Sequence, residues 1–459
     1  MNRAVIILCA IALLFSCNKP GGEDVPEVPS TITVTPENLT AGFAGETVPM
    51  TVVAPARPKV TTDADWISVS DGTYKNYSIT YTLNVQSYGG YGTREAMLTV
   101  KAGSLSKTVT LIQEGLPEYE TNYLIDETLV TSNPTAGAKA LYDFLRNNYG
   151  PKTVSSVMAD VNWNTRVAQK VYQNTGKYPA MNCFDFIHIY VPKNNWINYS
   201  DLTPVTDWHS AGGIVSLMWH FNVPLSETTE VKTDGSGVTC SPDKTTFKAS
   251  NALKEGTWEH NWYIDQLDKV AAIILRLQDL GIAAIWRPYH EAAGNYHALK
   301  WNGSAWFWWG ADGPDVFKAL WNDMFQRFAD KGIRNLIWVW TAQSYNGDPS
   351  AYEADIEWYP GDDKVDVVAR DIYGWDASGA AGDFKTLQYL YNSKMIVLGE
   401  CGYGSSGGFP ALSDIRANGG SYGWFMPWYE NGATMVSWDW WKAAFDSGFV
   451  ITREDLPEL

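Results

Sequence analysis

Two patterns of apolar and polar positions divide the chain. Over residues 31–115 short alternating runs recur: "TITVTP", "VPMTVVA", "WISVS", "SITYTLNV", "EAMLTVKA" and "SKTVTLIQ", separated by turn residues as in "QSYGGYGTRE". A period of two puts alternate side chains on one face, and short strands at regular spacing predict a small Ig-like β-sandwich. Trp66 sits in one of these strands and reads as core. Residues 116–135 read as a linker. From residue 136 to 459 apolar runs alternate with helical segments. The runs are "TVSSVMA" (153–159), "CFDFIHI" (183–189), "GIVSLMW" (213–219), "AAIWRP" (283–288), "LIWVW" (336–340), "VDVVARD" (365–371), "MIVLGE" (395–400) and "WFMPWY" (424–429). Between two of them, "NWYIDQLDKVAAIILRLQDLG" carries Leu267, Val270, Ile274, Leu277 and Leu280 on one helical face and closes at Gly281. Eight such strands in about 320 residues predict an α/β unit, a (β/α)8 TIM barrel with long loops. A doubly wound sheet is the competing architecture, but no Gly-rich phosphate loop follows any strand.

The first sixteen residues, "MNRAVIILCAIALLFS", join a short basic start to an apolar run that is short for a membrane span, which is the pattern of a secretion signal. The ending "LLFSC" looks like a bacterial lipoprotein signal. It implies cleavage before Cys17, acylation of that cysteine and an outer-membrane protein held by its lipid alone, exposed at the cell surface. Ordinary signal cleavage nearby is the alternative. Residues 17–30, Pro/Gly-rich and acidic, form a tether. Of five cysteines, maturation would leave Cys183, Cys240 and Cys401, too few and too widely spaced for a disulfide framework or a zinc site.

Composition narrows the ligand. The formal net charge is -17 with no basic cluster, which argues against nucleic acid and favours a neutral ligand over an anionic one. Of 22 Trp, 21 lie after residue 160, a density that suits packing and also stacking on the flat faces of sugar rings.

In a barrel, reacting groups come from the C-terminal ends of the strands and the loops that follow. Those ends offer His220 and Asn222 ("WHFNVP"), Arg287, His290 and Glu291 ("RPYHEAAGN"), Asp371 and Tyr373 ("RDIYG"), Glu400 ("LGECGYG") and Trp428 ("WFMPWYEN"). Glu291 and Glu400 are separated by about three strand–helix units, so the fourth and seventh strands carry them to opposite sides of one mouth. Paired carboxylates facing a neutral polysaccharide point to glycoside hydrolysis: one stays protonated to serve the leaving oxygen, the other stays ionised to attack. His220 and His290 could instead bind a metal. No HExxH pattern is present, and the adjacent His290 and Glu291 share no helix face, so no metal or organic cofactor is expected.

At this point two resemblances can be placed. "DADWISVS" and "GTREAMLTVKAGSLSKTVTLIQEG" resemble the BACON domain, which often precedes glycan-active domains as a spacer or a carbohydrate binder; the spacer reading is preferred here. "RPYHEAAGN…WFWWG", "WHFNVP", "DIYG", "VLGECGYG", "NTGKYPAMNCFDF" and "VITREDLPEL" resemble glycoside hydrolase family 26, chiefly endo-β-1,4-mannanases, over residues 135–459. The resemblance implies a retaining (β/α)8 enzyme with Glu291 as general acid/base and Glu400 as nucleophile. It implies sugar contacts from His220 and His290, a Tyr373 hydrogen bond to the nucleophile, support from Asp371, and aromatic walls at Trp306 and Trp428. Arg287 reads either as a supporting charge near Glu400 or as a buried structural arginine. The implied substrate is β-mannan, galactomannan or glucomannan. Mixed-linkage β-glucan (lichenan) and β-1,3-xylan are alternatives within the family. A surface protein that binds glycan without cutting it would have lost one carboxylate, and both are present. Two segments depart from simpler members. "YHALKWNGSA" brings His297 and Trp301, expected to line a subsite, and residues 226–251 are expected as a surface loop along one edge of the cleft.

Overall fold

A computed structural model describes residues 27–42, 45–86, 88, 93–114, 124–294, 305–342, 356–403, 408–430 and 432–459. The chain forms two compact units, the first ending at Glu114. In that first unit the strands are β1 (Thr33–Thr35), β2 (Leu39–Ala41), β3 (Glu46–Val53), β4 (Lys59–Thr62), β5 (Ile67–Ser70), β6 (Ser78–Val85), β7 (Thr93–Ala102) and β8 (Leu105–Glu114). They make two four-stranded sheets, β1–β3–β6–β5 and β2–β8–β7–β4. The alternation seen in the sequence is the reason: β6 buries Ile79, Tyr81, Leu83 and Val85, which join Val34, Met50, Leu98, Val100 and Leu111 in one core. Trp66 is half-buried against this core, with the Arg94 guanidinium 4.0 Å above its ring.

The second unit is built on β9 (Thr153–Met158), β10 (Met181–Asp185), β11 (Ile214–Met218), a ribbon of β12 (Val223–Pro224) and β13 (Val238–Thr239), then β14 (Ala284–Arg287), β15 (Leu336–Ala342), β16 (Val367–Tyr373), β17 (Met395–Gly402) and β18 (Trp424–Phe425). A small hairpin, β19 (Tyr429–Glu430) with β20 (Ala433–Thr434), and β21 (Val450–Ile451) beside β9 complete the strands. Eight of them run parallel in the order β9–β10–β11–β14–β15–β16–β17, with β18 on the far side of β9. The sheet then closes: Gly423 N–H donates to the Ile396 carbonyl, Cys401 N–H to Met426, and Trp428 N–H to Cys401, at 2.8–2.9 Å. Closure removes the unpaired sheet edges. All eight expected barrel strands are present, and nearly every position in them is buried, because helices cover them outside and side chains fill them inside.

Three expectations need correction. The second run does not extend over 183–189 as strand. The strand is Met181–Asp185, and the chain turns at Asp185, whose Oδ1 accepts the Ile187 N–H at 2.8 Å. Phe186 and Ile189 stay buried, so the apolar run outlasts the strand. In the helix Trp258–Asp279, Leu267, Val270, Ile274 and Leu277 are buried, but Leu280 is 58% exposed. The helix has already ended there, and the Ile282 N–H returns to the Leu277 carbonyl past Gly281, whose φ is +77°. The eighth run, 424–429, is barrel strand only at Trp424–Phe425, and Tyr429 belongs to the β19–β20 hairpin. Residues 226–251 are largely irregular and at the surface, with short regular pieces. They include β13, a 3₁₀ turn (Pro242–Lys244) and the start of a short helix (Ala249–Ala252), and the Cys240 carbonyl accepts the Trp308 N–H at 2.9 Å.

Candidate active site

Glu291 reaches the barrel mouth through a bent backbone. Just beyond β14, Tyr289 and Glu291 have φ of +48° and +51°. Left-handed conformations are uncommon for residues with a Cβ and persist where surroundings enforce them. The "WFWWG" segment supplies that enforcement. Trp309 Nε1 donates to the His290 carbonyl at 2.9 Å, and a Cβ on Gly310 would lie 1.8 Å from the Ala292 carbonyl oxygen. Only glycine lets that turn close over the loop carrying Glu291.

On the opposite side, a register shift between Arg370 and Asp371 sets Asp371 beside Glu400 and Tyr373 beside Gly402. Such bulges re-aim side chains next to active sites. Asp371 and Tyr373, two residues apart, share a face with Glu400. Gly399 keeps the space open: a Cβ there would meet Asp371 Oδ1 at 2.6 Å and Arg287 Nη1 at 3.2 Å.

Arg287, at the end of β14, knits these groups together. Its Nη1 donates to Thr341 Oγ1 (3.0 Å) and to both Asp371 oxygens (3.0 and 3.2 Å), and its Nη2 donates to Glu400 Oε1. The Tyr373 hydroxyl donates to Glu400 Oε2 at 2.6 Å. Glu291, Asp371 and Glu400 each bring one oxygen within 4.8 Å of the others, and all three are buried. This is also the one cluster among the described residues with the spacing to hold a cation; the Arg287 guanidinium already serves two of its three carboxyls.

The electrostatics follow from the count of charges. Three buried carboxyls share one guanidinium, so they cannot all ionise cheaply. Burial first, then the Asp371 and Glu400 charges, hold Glu291 well above the usual carboxyl range. Burial raises Asp371 to about 7 even against Arg287. The proton therefore rests on Glu291, the member without the arginine contact. Burial, reinforced by Glu400, also pushes the Tyr373 phenol up, so its O–H remains a donor.

The histidines close the other flank. The His220 and His290 rings are 4.6 Å apart, with Trp428 5.8 Å from His220. Phe307 lies 4.8 Å from His290 and stacks on Trp309 at 4.4 Å. Within "WFWWG" it is Phe307, which sequence reading passed over, that meets both histidines; Trp306 is 37% exposed. Asn222, singled out with His220, donates to the Ile187 carbonyl at 3.1 Å. His297, Trp301 and Cys17 lie outside the described residues. A second residue escaped sequence reading: Asp185, fully buried, binds His220 Nδ1 through Oδ2 at 2.5 Å and the His220 N–H through Oδ1 at 3.1 Å. An acid inside the apolar run "CFDFIHI" was the available signal.

Comparison with known proteins places this geometry. Residues 130–455 match the model for glycosyl hydrolase family 26, and residues 57–114 match BACON, a putative N-terminal binding domain. The mannan endo-1,4-beta-mannosidase of Thermothelomyces thermophilus is 31% identical over 350 residues, 74% of this chain and 64% of that protein. Mannan endo-1,4-beta-mannosidase B of Piromyces sp is 29% identical over 320 residues, 66% of this chain and 48% of that protein. The chain thus spans about half to under two thirds of these relatives' lengths. Among solved structures, the family 26 domain of an endo-beta-mannanase/endo-beta-glucanase from Prevotella bryantii is 50% identical with a TM-score of 0.70, covering 72% of this chain and 99% of that one. A beta-mannanase from a symbiotic protist of the termite Reticulitermes speratus, complexed with gluco-manno-oligosaccharide, is 30% identical with a TM-score of 0.60, covering 74% and 100%. With a family match across the whole barrel unit, the chain belongs to glycosyl hydrolase family 26.

Proposed function

We propose that the chain is a retaining endo-β-1,4-mannanase acting on neutral mannan, galactomannan or glucomannan. The observation that carries the mechanism is the spacing of the carboxyls. Glu291 and Glu400 oxygens lie within 4.8 Å, whereas retaining enzymes hold their pair about 5–5.5 Å apart and inverting ones about 6.5–9.5 Å. Protonated Glu291 gives its proton to the glycosidic oxygen as the C1–O bond breaks. Glu400, held by Arg287 and Tyr373, attacks C1 from the opposite face and forms a glycosyl ester. The Glu291 carboxylate then takes a proton from water, whose oxygen displaces Glu400 from C1. Two inversions give net retention. Activity should be lost on the alkaline side as Glu291 gives up its proton before the sugar binds. His220, His290, Trp306 and Trp428 would line the sugar path. The mannanase names of the similar proteins support the choice of glycan.

A reducing-sugar assay on galactomannan, glucomannan, lichenan and β-1,3-xylan tests this. Release from the two mannans is expected. Cleavage confined to lichenan or xylan would overturn the substrate, and retardation in mannan-containing gels without cleavage would overturn the enzyme reading. We further propose that acylated Cys17 anchors the chain in an outer membrane, with the tether and the sandwich unit as spacer. The Cys17→Ala chain should then move to the soluble fraction; a variant that still pellets with membranes would contradict the anchor.

A further inference from the structure

We infer that Asp185 is a positioning residue that holds His220 as a charged ring presenting its Nε2–H to the bound sugar. The inference rests on the reading of the barrel mouth as a mannan-cleaving site.

Asp185 ends β10 and is fully buried. Among the described residues no Lys or Arg pairs with it. A buried carboxylate without a counter-charge is costly. The partners of its own side chain are nitrogen groups. Oδ1 accepts two backbone N–H groups, from Ile187 at 2.8 Å and His220 at 3.1 Å. Donors of that kind favour the ionised acid. The missing positive charge then falls to the group at Oδ2, His220 Nδ1, in direct hydrogen-bond contact at 2.5 Å; ionised partners draw such bonds shorter than neutral ones. With Nδ1 committed to Asp185, Nε2 is the nitrogen left for a ligand.

The charged groups facing His220 agree. Burial alone would lower its pKa, but the Asp185 charge and hydrogen bond outweigh it and the net shift is upward; Glu400 adds to that and Arg287 opposes it. His290, across the 4.6 Å ring contact, goes the other way: burial, then His220, then Arg287 hold it well below the usual histidine range. Its Nδ1 is buried with no partner among the described residues. Phe307 and Trp428, the remaining rings against His220, carry no charge. Two neighbouring histidines are thereby split into one charged donor and one neutral ring. A charged N–H binds a sugar hydroxyl more strongly than a neutral one, and its loss would weaken substrate capture at higher pH.

Asp185→Asn tests the assignment. The amide oxygen can keep both backbone bonds while the amide nitrogen faces Nδ1 and favours a neutral ring. His220 is followed by imidazole NMR titration of the full chain, assigned with His220→Gln, alongside kcat/KM on a soluble mannooligosaccharide across pH. In the unmodified chain His220 should titrate above the ordinary histidine value. Asp185→Asn should lower that midpoint by about one unit or more and reduce kcat/KM near neutral pH by about tenfold or more. In the His220→Gln background, which has no ring to charge, Asp185→Asn should add little further loss. A wild-type His220 titrating at or below the ordinary value, a midpoint unmoved by the substitution, or a full additional loss in the Gln background would overturn the inference. The titration needs no substrate. A charged His220 in a chain that cleaves no mannan would sink the mannanase reading alone, and mannan cleavage with a neutral His220 would sink this inference alone.

Discussion

Glu400→Ala should lower mannan hydrolysis on the order of 10⁵-fold while leaving the barrel folded. On the proposed mechanism the substitution removes the carboxylate that forms the new bond to C1, and among the described residues no other carboxyl at the mouth is free to replace it. Glu291 is held protonated by its surroundings, and Asp371 has both oxygens on Arg287. Azide, small enough to enter the space left by Glu400, should restore turnover and give the α-glycosyl azide, since one displacement inverts C1. Glu291→Ala should behave differently. Polysaccharide cleavage should fall about 10²–10⁴-fold, but an aryl glycoside whose leaving group needs no proton should still react. Azide should then open the glycosyl ester to give the β-azide. Folded variants of either kind with near-normal rates on mannan would remove the assigned residue from the mechanism. Azide products with the two configurations exchanged would reverse the two roles.

Arg287→Met should cost stability as well as activity, and its cost should depend on pH. The guanidinium is the shared partner of Asp371 and Glu400, and all three are buried. Removing one partner of a buried ionic cluster typically costs about 3–5 kcal/mol, because uncompensated charge stays behind. Asp371 is raised to about 7 in the folded chain even with Arg287 present. Without the arginine its folded pKa rises further above its unfolded value. A carboxyl whose pKa is raised by folding costs nothing at a pH below both values, and it destabilises progressively as pH rises from the unfolded pKa to the folded one. The gap between wild type and Arg287→Met should therefore be small near pH 4 and widest above pH 7. Denaturant unfolding at both pH values reads this directly. An equal loss at both, or no loss at either, would show that Arg287 does not carry the charge balance of the site. Activity on mannan should fall about 10²–10³-fold at every pH, since the group that fixes Glu400 is gone.

The barrel was legible because each strand is an apolar run long enough to cross a sheet covered on both faces, and amphipathic segments such as Trp258–Asp279 lie between them. Glu291 and Glu400 were legible because acids at the ends of such runs are expensive unless they are used. The same logic applies to Asp185, which was hidden by the apolar residues that continue past it; Phe186 and Ile189 are buried in a turn, and burial alone does not separate a turn from a strand. Phe307 was hidden among three tryptophans. Which ring meets His290 depends on the 3₁₀ turn at Trp308–Gly310, and no periodicity in four residues reveals it. The bulge between Arg370 and Asp371 left no trace in composition either, yet it sets the facing pair Asp371 and Glu400. Long-range pairing fixed these details, and local pattern does not encode it.

The most direct measurement is the anomeric configuration of the first-formed product, followed by proton NMR on mannooligosaccharide before mutarotation. The β-anomer should appear first, as two displacements at C1 by Glu400 and then water require. Prompt appearance of the α-anomer would mean a single displacement and would contradict Glu400 as a covalent nucleophile.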